Sequence, residues 1–184
     1  DHNRAVVTIV GEPEAVKEAA FRMIKTAAEL IDLNQHRGEH PRMGATDVVP
    51  FIPLENMRME ECVRLARDLG KRVGDELQIP VFLYEDAATR PERKNLASVR
   101  KGQFEGLREE IGTNPDRAPD YGPDRIHPSA GATAIGVRFF LVAYNVNLDS
   151  TDIDLAKRIA KEIRESSGGF PCVKALGFDL ADRE

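Results

Sequence analysis

Apolar side chains follow two spacings along this chain, a helical one in long stretches and a β-branched one in short runs between them. Residues 5–10 are such a run, and Gly11-Glu12-Pro13-Glu14 reads as a strand exit with proline in the first helical turn. From there Val16, Ala20, Met23, Ile24, Ala27, Leu30 and Ile31 recur on one helical face to about residue 32. Lys17, Glu18, Arg22, Lys25 and Glu29 fill the other face, so the apolar stripe reads as core. A strand at 47–52 contains Pro50, which donates no backbone hydrogen bond and belongs at an edge or a bulge. A helix over about 59–77 sets Cys62, Ala66, Leu69, Val73 and Leu77 on one face, which makes Cys62 a small core residue, and a strand at 79–84 follows.

The second half is less regular. Residues 85–110 interleave Arg90, Arg93, Lys94, Arg100 and Lys101 with Leu96, Val99, Phe104 and Leu107, reading as a charged loop, one or two short helices and a solvated basic face. Residues 112–131 form a proline-rich connection, of a length that is uncommon in a compact domain unless it is functional or disordered. The longest strand pattern spans 135–148. Ser150 or Thr151 caps a helix to about residue 165, with Ile153, Ala156, Ile159, Ala160 and Ile163 inward. Gly168-Gly169 end it, and 173–178 is a last strand. The order of elements predicts an α/β (α+β) fold, a mixed β-sheet with helices packed on one face.

At 184 residues the chain can bury one solid core or two small lobes. A net charge of −5 and a pI near 5.5 argue against nucleic-acid binding, which calls for a basic face. Cys62 and Cys172 are too few for a disulfide framework and are not spaced as metal ligands, which points to a reducing, cytoplasmic setting. The longest apolar run, 139–143, is far short of a membrane span, and no leader segment is recognised. Residues 5–10 open as a strand without a preceding element, so the chain is expected to start within a longer fold, as a fragment.

Chemistry concentrates in His36-Arg37-Gly38-Glu39-His40-Pro41-Arg42-Met43-Gly44, a polar loop between helix and strand. His36-x-x-Glu39-His40 has the spacing of an inverted zincin motif, which needs a helix; Pro41 and Gly38 work against one. The other reading makes one histidine a general acid/base in an extended loop, with arginines holding an anionic substrate. A third is a loop whose histidines only hydrogen-bond to backbone.

The run from Gly38 to Gly44, with Ala45, Asp47-Val48, Pro50-Phe51-Ile52-Pro53, resembles the signature of the formiminotransferase family. The likeness continues in Asp1-His2-Asn3-Arg4, in Val7, Val10-Gly11, Pro13-Glu14, and in Glu60-Glu61-Cys62-Val63. It extends through Pro80-Val81, Leu83-Tyr84, Ala118-Pro119-Asp120 and Gly131-Ala132-Thr133, covering nearly the whole chain.

The resemblance implies a folate-dependent glutamate formimidoyltransferase activity, in histidine breakdown and one-carbon metabolism, with tetrahydrofolate as substrate and carrier and no metal. It implies His40 as catalytic acid/base. It places folate binding on Gly122, Pro123, Asp124, Arg125, Ile126, His127, Pro128, Ser129, Ala130 and Gly131, although an aromatic often stands at the position of Ala130. His127 is also readable as an ordinary loop histidine. Arg37 and Arg42 are candidate carboxylate clamps by position, and Glu39 would orient a histidine or form a local ion pair. The implied subdomains are 1–139, the N-terminal one without its first strand and helix, and 140–184, the opening of the second. The implied partners are folate and L-glutamate, with no nucleic acid, no membrane and room for a homodimer. Transfer or cyclisation of 5-formyltetrahydrofolate in the same pocket, or a non-catalytic folate-binding or assembly module, are the alternatives.

Overall fold

The computed structural model describes residues 2–38 and 40–179, which fall into two compact units, Asp1–Phe140 and Leu141–Glu184. The first unit holds α1 (Pro13–Leu30), β1 (Val48–Phe51), α2 (Met59–Arg72), β2 (Val81–Glu85), α3 (Leu96–Val99), α4 (Gln103–Glu110) and β3 (Thr133–Val137). Its sheet has the order β1-β3-β2. Both pairings are parallel, with Val49 opposite Ile135 and Leu83 opposite Ile135. The expected α/β class holds, and the described strands refine it from a mixed sheet to a parallel one. Parallel strands need crossover connections, and α2 lies in the one that carries the chain from β1 past the position of β3 to β2. Pro50 lies in β1, on the edge of the sheet, where a missing N–H breaks no central ladder.

Strand side chains point alternately to opposite faces, and both faces are covered. Val81, Leu83, Ile135 and Val137 pack with Phe21 and Ile24 of α1 and Cys62, Ala66 and Leu69 of α2. Phe82, Tyr84 and Ala134 pack with Val99 of α3 and Leu107 of α4. Helices therefore cover both faces, not one as expected, because α3 and α4 bury their apolar residues despite being short and charged. Tyr84 is buried against Gly136, and burial pushes its hydroxyl up to about 12.

The stripe of α1 is turned from the expected one. Ala20, Phe21 and Ile24 are buried, while Met23 and Leu30 are exposed. Arg72 of α2 explains the turn: its guanidinium stacks 3.6 Å over the Phe21 ring and bonds Glu18 at 2.6 Å. The helix of α2 continues into a π-helical turn, Val73–Leu77, and stops at Gln78 in the left-handed region, φ 55°.

The expected strands at 5–10 and 135–148 are missing and shortened, respectively. Residues 5–10 carry no regular structure, with Val6 and Val10 both 76% exposed, and the long strand at 135–148 is cut to β3. A β-branched run becomes a strand only where a neighbour takes up its backbone groups. The described ladder partners of β3 end at Phe51 and Glu85.

The second unit holds α5, Ile153–Ile163. Asp152 caps it, not Ser150 or Thr151: its carboxylate accepts the N–H groups of Asp154 and Leu155 at 2.9 and 3.1 Å, while Ser150 Oγ accepts that of Asp152. Ala160 is buried and Ile159 is exposed. Residues 173–178 form no strand; Glu165 N–H instead bonds the Val173 carbonyl at 2.9 Å. No helix among the described residues is long and apolar enough to cross a membrane.

Candidate active site

The loop after α1 is irregular over 36–38, so His36 and His40 do not stand one turn apart on a helix. Glu39 lies outside the described residues. Among the described residues no three His, Cys, Asp or Glu side chains group as metal ligands.

Three backbone contacts fix the loop beyond His40. Arg42 C=O accepts from Phe104 N–H at the start of α4, Met43 C=O accepts from Ala132 N–H, and Ala45 N–H donates to Ala130 C=O, each at 2.9 Å. Gly44 lies so close to the Ala132 carbonyl that a side-chain carbon there would collide with it, which is why a glycine is required. The stitch brings the end of the candidate folate segment against the loop that carries His40. A second set of bonds holds the same segment to the end of α1: Leu33 N–H donates to Ser129 C=O at 2.9 Å and the Asn34 amide to Pro128 C=O at 3.0 Å.

Residues 127–131 close on themselves through paired backbone bonds of 3.1 Å, His127 N–H to Gly131 C=O and the reverse. His127 Nδ1 accepts Ala130 N–H at 3.0 Å. Burial holds the ring below the usual histidine range, so it stays the neutral acceptor that the turn needs. Ala130 is 2% exposed and packs in the core, so its methyl offers a ligand no surface. Gly122, Asp124, Arg125 and Pro128 are exposed, and Pro123, Ile126 and Ser129 are half-buried.

The long connection is anchored by a network that sequence patterns did not reveal. Asp120 and Arg93 pair at 2.6 Å with side chains only 6% and 4% exposed. Asp120 also accepts the Leu83 N–H at 2.8 Å and the Thr89 hydroxyl, and Arg93 reaches the Ala118 carbonyl. Arg93 therefore does not belong to a solvated basic face, and neither does Arg100, which pairs with Asp47 at 2.6 Å.

His40 is half-buried within this frame. Arg4 Nη1 lies 2.7 Å from its Nε2; guanidinium can only donate, so Nε2 accepts. In the neutral ring with Nε2 accepting, the proton sits on the remaining nitrogen, Nδ1. Burial first, then the charges of Arg4 and Arg100, hold the imidazole below its usual range; Asp47 and the Pro41 carbonyl oppose them. Asp47 is itself pushed up by burial, against the pull of Arg100 and the Met43 N–H it accepts at 2.8 Å. His40 is thus a neutral imidazole near neutral pH, the form of a general base.

The two clamp candidates differ. Arg42 forks onto Glu105 at 2.7 and 3.0 Å and also faces the His36 carbonyl, so its donors are largely engaged in holding the loop to α4. Arg37 is exposed and bonds the neighbouring His36 carbonyl through Nη1 at 2.9 Å, which leaves further donors for a carboxylate. His36 has a buried Nδ1 without a partner among the described residues. Arg4, Asp47, Arg93, Arg100 and Asp120 are site or frame residues that periodicity could not find. Arg4, Asp47 and Asp120 did lie within the motif segments, which was the available signal.

Comparison with known proteins gives the family of the chain. A family model, the formiminotransferase domain, N-terminal subdomain, matches residues 1–138. The chain is 56% identical over 182 residues to a glutamate formimidoyltransferase of Streptococcus pyogenes serotype M1, covering 99% of this chain and 60% of that protein. It is 52% identical over 185 residues to that of Thermoplasma acidophilum, covering 100% and 60%. It is 48% identical over 187 residues to the formimidoyltransferase-cyclodeaminase of Mus musculus, covering 98% and 34%. The chain thus spans about 60% of the length of the two microbial relatives. With the signature loop, the parallel sheet behind it and the match over 1–138, the chain belongs to the formiminotransferase domain family.

Proposed function

We propose that the protein carrying this chain is a folate-dependent glutamate formimidoyltransferase. It moves the formimino group from N5 of 5-formimidoyltetrahydrofolate to the amine of L-glutamate. The observation that carries the reading is His40: a neutral, half-buried imidazole on a loop stitched to the turn at 127–131. The names of relatives at 52–56% identity support it.

The glutamate nitrogen attacks the formimino carbon, and the tetrahedral adduct needs the proton on that nitrogen removed. His40 accepts it. Because its surroundings disfavour the imidazolium, the protonated ring is a good acid and delivers the proton to N5 as the carbon–N5 bond breaks. Tetrahydrofolate and N-formimidoylglutamate leave, and the imidazole is neutral again. The partly exposed segment 122–128 would receive the pterin, with Arg37 on a substrate carboxylate. Residues 1–139 would form the catalytic subdomain and 140–184 the opening of the second, in a cytoplasmic enzyme. The test is formation of N-formimidoylglutamate from the two substrates by the intact protein. Folate binding without transfer would favour a non-catalytic module.

A further inference from the structure

The arrangement around His40 contains an obstacle to its own chemistry. Nδ1 carries the proton, and the single lone pair of Nε2 is taken by Arg4. With Arg4 in place the ring has no free acceptor, so it can take a proton from an attacking amine only after the guanidinium leaves. Arg4 reaches the ring because its segment is pinned to the loop: the Asn3 amide donates to the Arg37 carbonyl at 2.6 Å, and Asn3 is left-handed, φ 46°. Gly38 lies against the His2 carbonyl, 2.5 Å from where a side-chain carbon would stand. The His2 ring is 6.4 Å from that of His40. Arg42 and Arg100 nearby already hold carboxylates, whereas Arg4 is exposed and its bond is to a neutral acceptor.

We propose that Arg4 is a positioning and specificity residue, a cap on Nε2 of His40 that transfers to a carboxylate of the amino-acid acceptor and frees the lone pair when that acceptor binds. A guanidinium–carboxylate pair is charge-assisted on both sides and accepts a bidentate fork, so it outcompetes a neutral imidazole. An amine without a carboxylate leaves the cap on, which ties base activation to the acceptor class. No proton passes through Arg4; its hydrogen bond alone is exchanged. The proposal rests on the formimidoyl-transfer reading for the identity of the acceptor.

The experiment follows the His40 imidazole by NMR titration in the intact protein, its Arg4→Gln variant and its Arg4→Lys variant, with and without L-glutamate. Among the described residues, the charged and titratable groups facing the ring are Arg4, Arg100, Asp47 and His2. Arg4→Gln raises the His40 pKa, and Arg4→Lys, which keeps the charge without the fork, raises it less. L-Glutamate raises the wild-type value and, at the same concentration, leaves Arg4→Gln unmoved. In turnover, Arg4→Gln raises KM for L-glutamate about 10- to 100-fold, the loss of a charge-assisted pair, with KM for the folate donor unchanged. An unmoved His40 titration in Arg4→Gln, or a wild-type His40 indifferent to L-glutamate, overturns the proposal. If both titration shifts occur but no donor supports transfer, the reaction is wrong and the cap stands.

Discussion

Replacing Arg93 by methionine removes one partner of the buried pair that ties the 112–122 connection to the turn at 91–94 while keeping most of the side chain's apolar volume. Both side chains are nearly sealed from water, at 4% and 6% exposure. Stripping one partner from a buried pair costs about 3–5 kcal/mol, because the other charge remains buried without compensation. Asp120 keeps the Leu83 N–H and the Thr89 hydroxyl, which sets the cost at the lower end, about 3 kcal/mol. That is a large share of the roughly 5–15 kcal/mol that holds a domain together. In urea denaturation followed by circular dichroism the midpoint falls by about 1 M or more, since slopes are about 1–3 kcal/mol per M. Asp120→Asn in the same background costs little more, a coupling of about 2 kcal/mol or above, as expected for side chains in contact. A loss below about 1 kcal/mol for Arg93→Met, the level of a surface pair, would show that the pair does not hold the connection in place.

His127→Ala removes the acceptor of the Ala130 N–H and costs about 1 kcal/mol in thermal or urea denaturation; an unchanged midpoint would show that the turn does not depend on the ring. The folded pKa of His127 is lowered, so its stabilisation is present above the unfolded value near ~6.5 and is lost as pH falls through the lower folded value. His127→Ala therefore weakens the rise of stability with pH across that window, read from melting temperatures. The Cys62 thiol is buried and pushed up by burial, while Cys172 is exposed. A thiol reagent should label one cysteine rapidly in the native protein and both in denaturant, and equal native rates would contradict the packing of α2.

Periodicity made α1, α2, β1 and β2 legible because each pairs a local pattern with a buried partner: Ile24, Leu69 and Leu83 meet in one core. It misread 5–10 and 138–148 because β-branched runs register propensity, while ladder pairing is decided far away in the chain. Arg93 and Arg100 looked like solvent-facing charge because their partners, Asp120 and Asp47, are 27 and 53 residues distant by position number. The signature loop was legible as chemistry from its composition and as a family trait from its order. The hydrogen bond between Arg4 and His40 was not, since Arg4 lies across α1 from it in sequence.

In the proposed transfer His40 moves the proton. Single-turnover formimidoyl transfer to L-glutamate by the intact protein and its His40→Gln variant tests it most directly, with folate binding measured in parallel. The imidazole as general acid/base contributes about 10²–10⁴-fold, so the variant should lose that much in rate with folate affinity within about twofold. Normal transfer by His40→Gln would contradict the account.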